Sequence, residues 1–272
     1  MTRQAASAHL LVLVQRLFQL PECAGLEIRQ VTIRREDFWQ AADPAQMIEA
    51  AMDACWHDGY SDIDMKVLTT GAPGHPLDWL ESVGIDEAHC LGFFMVPENR
   101  ACRIVFREGF RYDITVEAPG GETSPRAAQA AEHPHWPREA VNRFWFVQVQ
   151  ALGKLYRRDY LIARHLAHMQ LNETLVAQMV LRDLRLGTHH HRYGGQEEAV
   201  YQRYAGICPI VTGDAAFDEI AGLLYCAARA YDELVLAFYP QEEARTPVLT
   251  KIWEQYEAER KSSNTLPQGG TP

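Results

Sequence analysis

Two short stretches carry the residue types most able to do chemistry: Ser61-Asp62-Ile63-Asp64-Met65 and, about fifty residues on, Arg111-Tyr112-Asp113-Ile114-Thr115. Apolar residues alternate with others in Ile63-Asp64-Met65-Lys66-Val67-Leu68 and again in Ile114-Thr115-Val116, the pattern of half-buried strands. Residues two apart on a strand point to one face, so Asp62 and Asp64 converge on one patch. If the strand of Asp113 lies alongside, three carboxylates meet there, with no compensating base expected from the local sequence. Carboxylates held together repel, and a bound divalent cation is the usual relief. Two such ions sharing a bridging carboxylate serve in-line phosphoryl or nucleotidyl transfer, one activating the attacking oxygen and the other neutralising the leaving pyrophosphate. A D-x-D that merely starts a turn or faces water is the plain alternative. The third carboxylate in a strand shifts the balance towards metal.

The elements that must position these residues follow from periodicity and turn signals. The first half reads as a helix over about 6–20, a strand over 26–34, a helix over 44–56 and the Asp62–Leu68 strand. A helix over 76–82 and three β-like runs near 90–96, 101–106 and 111–117 follow, the last two joined by the hairpin signal Arg107-Glu108-Gly109-Phe110. After Glu117 the Pro- and Gly-rich 118–125 and the cluster Pro134-His135-Trp136-Pro137 predict a flexible connection and a domain boundary. Beyond it the pattern is helical, with Asn172 as an expected N-cap, Gly187 as an expected C-cap and further helices over about 215–238 and 247–261. The expected fold class is α+β: a mixed sheet with helices over 1–125, a helical domain over 126–261 and a disordered tail over 262–272.

Composition bounds the partners. A chain of 272 residues with 47% hydrophobic residues can bury a sizeable core. Its formal charge of −10 is spread along the sequence, which argues against nucleic acid and suits a cationic partner. The six cysteines show no C-x-x-C pair, as expected of reduced thiols in a cytoplasmic protein. The apolar stretch before Leu20 is broken by Gln15, Arg16 and Gln19 and reads as an amphipathic helix, not a membrane span.

With Asp62-Ile63-Asp64 and Tyr112-Asp113-Ile114, the chain resembles the aminoglycoside 6-adenylyltransferase (streptomycin adenylyltransferase) family of the DNA-polymerase-beta-like nucleotidyltransferases. Further likeness lies in Arg143-Phe144-Trp145-Phe146, in the run Gly153 to Leu161 and in Leu186-Gly187-Thr188. Tyr201-Gln202-Arg203-Tyr204 and the positions Tyr231, Phe238, Pro240 and Tyr256 extend it. The resemblance implies a nucleotidyltransferase domain followed by a helical one, with substrate between them. It also implies Mg2+ held by Asp62, Asp64 and Asp113, ATP as co-substrate, and transfer of AMP to a hydroxyl of a cationic aminoglycoside, an antibiotic-resistance activity. Asp159 matches an acidic family position and becomes the candidate general base, the alternative being a pair with Arg157 or Lys154.

The family's Gly-Ser step, which holds the triphosphate, is absent: Val31-Thr32-Ile33 is followed by Arg34-Arg35-Glu36. Arg34 and Arg35 could replace the lost amides as phosphate ligands, nucleotide binding could be lost, or Asp58-Gly59-Tyr60-Ser61 could supply a substitute turn that brings Ser61 to the phosphates. Lys154, Arg157 and Arg158, a helical turn apart, could clamp a triphosphate or form a solvated basic face. His189-His190-His191 reads as a polar loop rather than a metal cluster, and His165 with His168 supplies two metal ligands of the three a site needs. Trp145, Tyr156 and Tyr160 could stack on a base or sugar, or pack in a core.

Overall fold

The structure is a computed structural model and describes residues 2–55, 60–71, 75–96, 101–118, 133–187 and 214–265. The chain is α+β and divides into two compact units, one of Met1–Gln129 with Glu254–Pro272 and the other of Ala130–Trp253.

The first unit is built on helix α1 (Arg3–Leu17), the strands β1 (Cys23–Ile28) and β2 (Val31–Arg34), and helices α2 (Arg35–Gln40) and α3 (Pro44–Cys55). Strand β3 (Ile63–Thr69), helix α4 (Pro76–Ser82) and strands β4 (Cys90–Val96), β5 (Ala101–Phe106) and β6 (Arg111–Glu117) complete it. The six strands form one sheet in the order β2-β1-β3-β6-β5-β4. Every neighbouring pair is antiparallel except β3 and β6, which run parallel because the chain returns through α4, β4 and β5 before β6. Alternation along β3 and β6 gives the sheet two unlike faces. Ile63, Met65 and Val67 are buried with Tyr112, Ile114 and Val116, while Asp64, Lys66, Asp113 and Thr115 take the more open side. Helix α1 belongs to the buried side: its His9 bonds to the Tyr112 hydroxyl at 2.9 Å and packs on Phe106 and Phe110, and burial pushes the imidazole down to about 4.

The single strand expected over 26–34 is a hairpin, β1 and β2, turning at Arg29-Gln30. Neither residue is a turn former, and the apolar alternation on either side hides the break. The β5–β6 hairpin falls where its turn residues predict, with Gly109 at φ 92.

In the second unit, α5 (Arg138–Tyr156), α6 (Tyr160–Leu186) and α7 (Asp214–Phe238) precede α8 (Thr246–Thr265), which passes into the first unit after Trp253. Asn172 caps nothing, because α6 runs through it without a break. No Gly or Pro interrupts 160–186, and the buried face carries Ala163, Ala167 and Ala177, so packing overrides the capping preference of an asparagine. Gly187 ends α6 at φ 64, as expected. Pro134–Pro137 is anchored rather than flexible: Trp136 is buried, donates to the Tyr231 hydroxyl at 3.0 Å and stacks on Phe238. Helix α8 extends to Thr265, four residues into the stretch expected as a tail.

Candidate functional site

Parallel pairing of β3 with β6 sets Asp64 directly beside Asp113, with Ile63 beside Tyr112 and Met65 beside Ile114. Neighbours in a parallel ladder stand about 4.8 Å apart with side chains on the same face, so these two carboxylates are brought together by register alone. Asp62, just ahead of β3, joins them closely enough that its charge helps to raise both of the others.

Asp113 carries a large shift. Burial pushes it up to about 6, Arg103 opposes, and the charges of Asp62 and Asp64 add to the rise. Asp64 is raised as well, by burial first and Asp62 second, against Arg29 and Arg103. These carboxylates are not left without compensating bases. Arg103, opposite Asp113 on β5, donates to Asp113 Oδ2 at 3.0 Å. Arg111 Nη2 donates to Asp62 Oδ1 at 2.5 Å and also to the Tyr60 carbonyl. Arg29 Nε lies 3.8 Å from Asp64 Oδ2. The bases come from the β1–β2 turn, from β5 and from the start of β6, so a search of the sequence around Asp62 and Asp64 misses them. Counting back from the Arg107–Phe110 hairpin would have found Arg103, since Val105 pairs with Arg111 and the next step but one pairs Arg103 with Asp113.

Asp113 Oδ1 is buried and makes no hydrogen bond among the described residues. A carboxylate oxygen in that position asks for a proton or a cation, and hard oxygen donors on two adjacent strands suit a divalent ion. Asp64 and Asp113 therefore fit such an ion, whereas Asp62 is committed to Arg111. The three carboxylates expected to share an ion do not form such a set: no group of three His, Cys, Asp or Glu side chains among the described residues is arranged to hold a metal.

The other expected site residues lie elsewhere. Arg35 opens α2 and donates to the Pro21 carbonyl at 3.1 Å. Arg34 pairs with Gly25, and Gly25 with Leu68, which is four residues along β3 from Asp64. Arg35 thus sits about 13 Å along the strand and two strand spacings across from the carboxylates, and the structure does not bring it to them. The strand that adjoins the D-x-D strand in the sheet is β1, and the residues that follow it are Arg29 and Gln30. Ser61 is buried at 6% exposure, just ahead of β3. Asp58 and Gly59 lie outside the described residues, as do His189–His191 and Tyr201–Tyr204.

In the second unit, Lys154, Arg157 and Arg158 do not share a helix face, because α5 ends at Tyr156 and Arg158 turns the chain at φ 62. Asp159 caps α6, accepting from the Ile162 amide at 3.4 Å, and lies 3.8 Å from Lys154 Nζ. Trp145 and Tyr156 are buried among the helices. His165 is exposed, and no metal-ligating group of three includes it or His168 among the described residues.

No family model matches the chain, and no curated protein matches it in sequence. Among the described residues no helix is long and apolar enough to cross a membrane.

Proposed function

We propose that this protein is a divalent-metal-dependent nucleotidyltransferase that moves AMP from ATP to a hydroxyl of a cationic, aminoglycoside-like small molecule. The observation that carries the reading is the register of β3 and β6, which holds Asp64 and Asp113 side by side with a buried oxygen of Asp113 lacking a hydrogen bond. Asp64 and Asp113 would hold Mg2+. When bound, the ion supplies charge neutralisation for the phosphates and the leaving pyrophosphate. Arg103 fixes the Asp113 carboxylate through Oδ2, leaving Oδ1 for the ion. Arg111, 3% exposed, locks Asp62 and the Tyr60 carbonyl into one unit and so sets the entry to β3. The net charge of −10 favours a cationic acceptor. The reading rests on Asp64 and Asp113; Asp62, paired with Arg111, and Arg35, Lys154, Arg157, Arg158 and Asp159 add no support as ligands.

One observation favours a second reading, a protein that binds a ligand on this fold without transferring nucleotide. Each of the three carboxylates has an arginine beside it, so the site is neutralised without any metal. The Gly-Ser step is also missing after β1 as well as after β2.

Melting in saturating Mg-ATP and transfer of labelled AMP to an aminoglycoside panel separate the two. A ligand at about 100 times its Kd adds about 2.7 kcal/mol, a rise in Tm of several degrees. The transferase reading expects that rise together with transfer, and loss of both in Asp64→Asn and Asp113→Asn. A rise without transfer supports the second reading. Neither rise nor transfer removes the nucleotide reading altogether.

A further inference from the structure

In the helical unit one acidic side chain is drawn partly out of water with nothing to hold it. Glu173 lies half-buried on α6 and makes no hydrogen bond or ion pair among the described residues. Burial pushes its carboxyl up, and the charge of Arg143 on α5 opposes that without cancelling it. Arg143 is itself exposed, so its guanidinium stays in water. The charges of Glu173 and Arg143 both act on Tyr231 of α7, which places the carboxylate where the three helices meet.

One turn earlier, on the same side of α6, comes Gln170. It is 4% exposed, and its Oε1 is buried without a hydrogen bond among the described residues. A buried acceptor left unpaired is costly, so such an atom asks for a donor. The interior donors of this unit do not serve it. Thr174 Oγ1 donates to the Gln170 backbone carbonyl at 2.8 Å, and Gln148 Nε2 donates to the Leu224 carbonyl at 3.2 Å. Trp145 Nε1 makes no hydrogen bond.

A carboxylate and an amide oxygen, side by side on one helix, offer acceptors and a single negative charge but no donor. Their complement is a monovalent cation that brings its own N–H groups, and a protonated amine is such a cation. A divalent ion suits them less, because no group of three His, Cys, Asp or Glu that includes Glu173 is arranged to hold one among the described residues. We propose that Glu173 and Gln170 form an ammonium-binding subsite in the helical unit, taking an amino group of a cationic small molecule. That this molecule is the acceptor of AMP rests on the transferase reading above; the subsite itself does not. Arg143 competes with the ammonium for Glu173 and weakens its binding.

The probe is neamine, a small aminoglycoside with several amino groups, set against its fully N-acetylated form, which keeps the ring skeleton and loses the charge. Calorimetric titration into wild type and variants reads the affinity, and melting curves of the same proteins check the fold. Glu173→Gln should weaken neamine about 10- to 100-fold and Gln170→Met about three- to tenfold, while Arg143→Ala strengthens it about two- to fivefold. Neither Glu173→Gln nor Gln170→Met should lower Tm, because each removes a buried polar demand that the fold leaves unmet. The inference fails if Glu173→Gln binds neamine as wild type does, or if the N-acetylated form binds as tightly as neamine. It fails also if wild type binds no neamine. The shift in Tm with Mg-ATP, measured on the same samples, then decides separately whether the nucleotide reading survives.

Discussion

Asp113 shows how burial, a partner and like charges compete on one side chain. Burial is the largest effect and drives the carboxyl up to about 6, Arg103 pulls it down, and Asp62 and Asp64 push it up again. The folded protein therefore keeps a proton that the unfolded chain has released by about pH 4. Where the folded state binds more protons, stability falls as pH rises, so the contribution is fully present below about pH 4 and lost as pH climbs through about 6. Asp113→Asn removes the penalty, at the cost of Arg103's ionic partner. We expect the variant to hold its Tm across this window while wild type declines, the gap at pH 7 being on the order of 1 to 3 kcal/mol. Melting curves from pH 4 to 7 check this, and parallel profiles would show that the Asp113 charge costs the fold nothing. Saturating Mg2+ should close the gap, because an ion on Asp64 and Asp113 favours the charged form.

At the scale of elements, the site is the product of one crossover and one hairpin. Alternation in the sequence was enough to find β3, β5 and β6, and the hairpin between the last two has the bounds its turn residues predict. The carboxylates were legible for the same reason: their spacing assigns Asp62 and Asp64 to one face. What decides the chemistry was not legible in that way. That β3 and β6 are parallel neighbours depends on the whole sheet order, and the Arg29-Gln30 turn carries no turn-forming residue to betray it. Local alternation therefore runs β1 and β2 together as one strand over 26–34, and Arg35, one of the expected phosphate ligands, opens α2 two strands away from β3. The α5–α6 junction failed differently. Arg157 and Arg158 lie in a turn rather than on the helix that their spacing predicts, and Asp159, the candidate general base by resemblance, caps α6. Loss of such a cap costs about 1 kcal/mol. Asp159→Ala should accordingly lower Tm by a few degrees and leave Mg-ATP affinity unchanged; a large fall in AMP transfer at unchanged nucleotide affinity would restore the general-base assignment.

At the scale of the whole molecule, the chain closes its first unit with its last helix. Residues from Glu254 onward belong with Met1–Gln129, so the carboxylate site is supported by sequence nearly two hundred residues away from Asp62. Tyr256 makes that support specific. It is fully buried, and its ring meets Tyr60 edge to face at 4.9 Å. The Tyr60 carbonyl in turn accepts from Arg111, which holds Asp62. Burial of one aromatic ring thus sets the backbone that enters β3, through one carbonyl and one guanidinium. Truncating a buried aromatic costs about 3 to 5 kcal/mol, through lost transfer energy and the cavity left behind. Tyr256→Ala should therefore lower Tm sharply and also shrink the stabilisation by Mg-ATP, because Tyr60 and Arg111 lose their backing. Tyr256→Phe keeps the ring and should preserve most of both. If Tyr256→Ala melts like wild type, the C-terminal helix does not stabilise this unit; if it loses stability but keeps the full response to Mg-ATP, the path from Tyr256 through Tyr60 and Arg111 to Asp62 does not set the site.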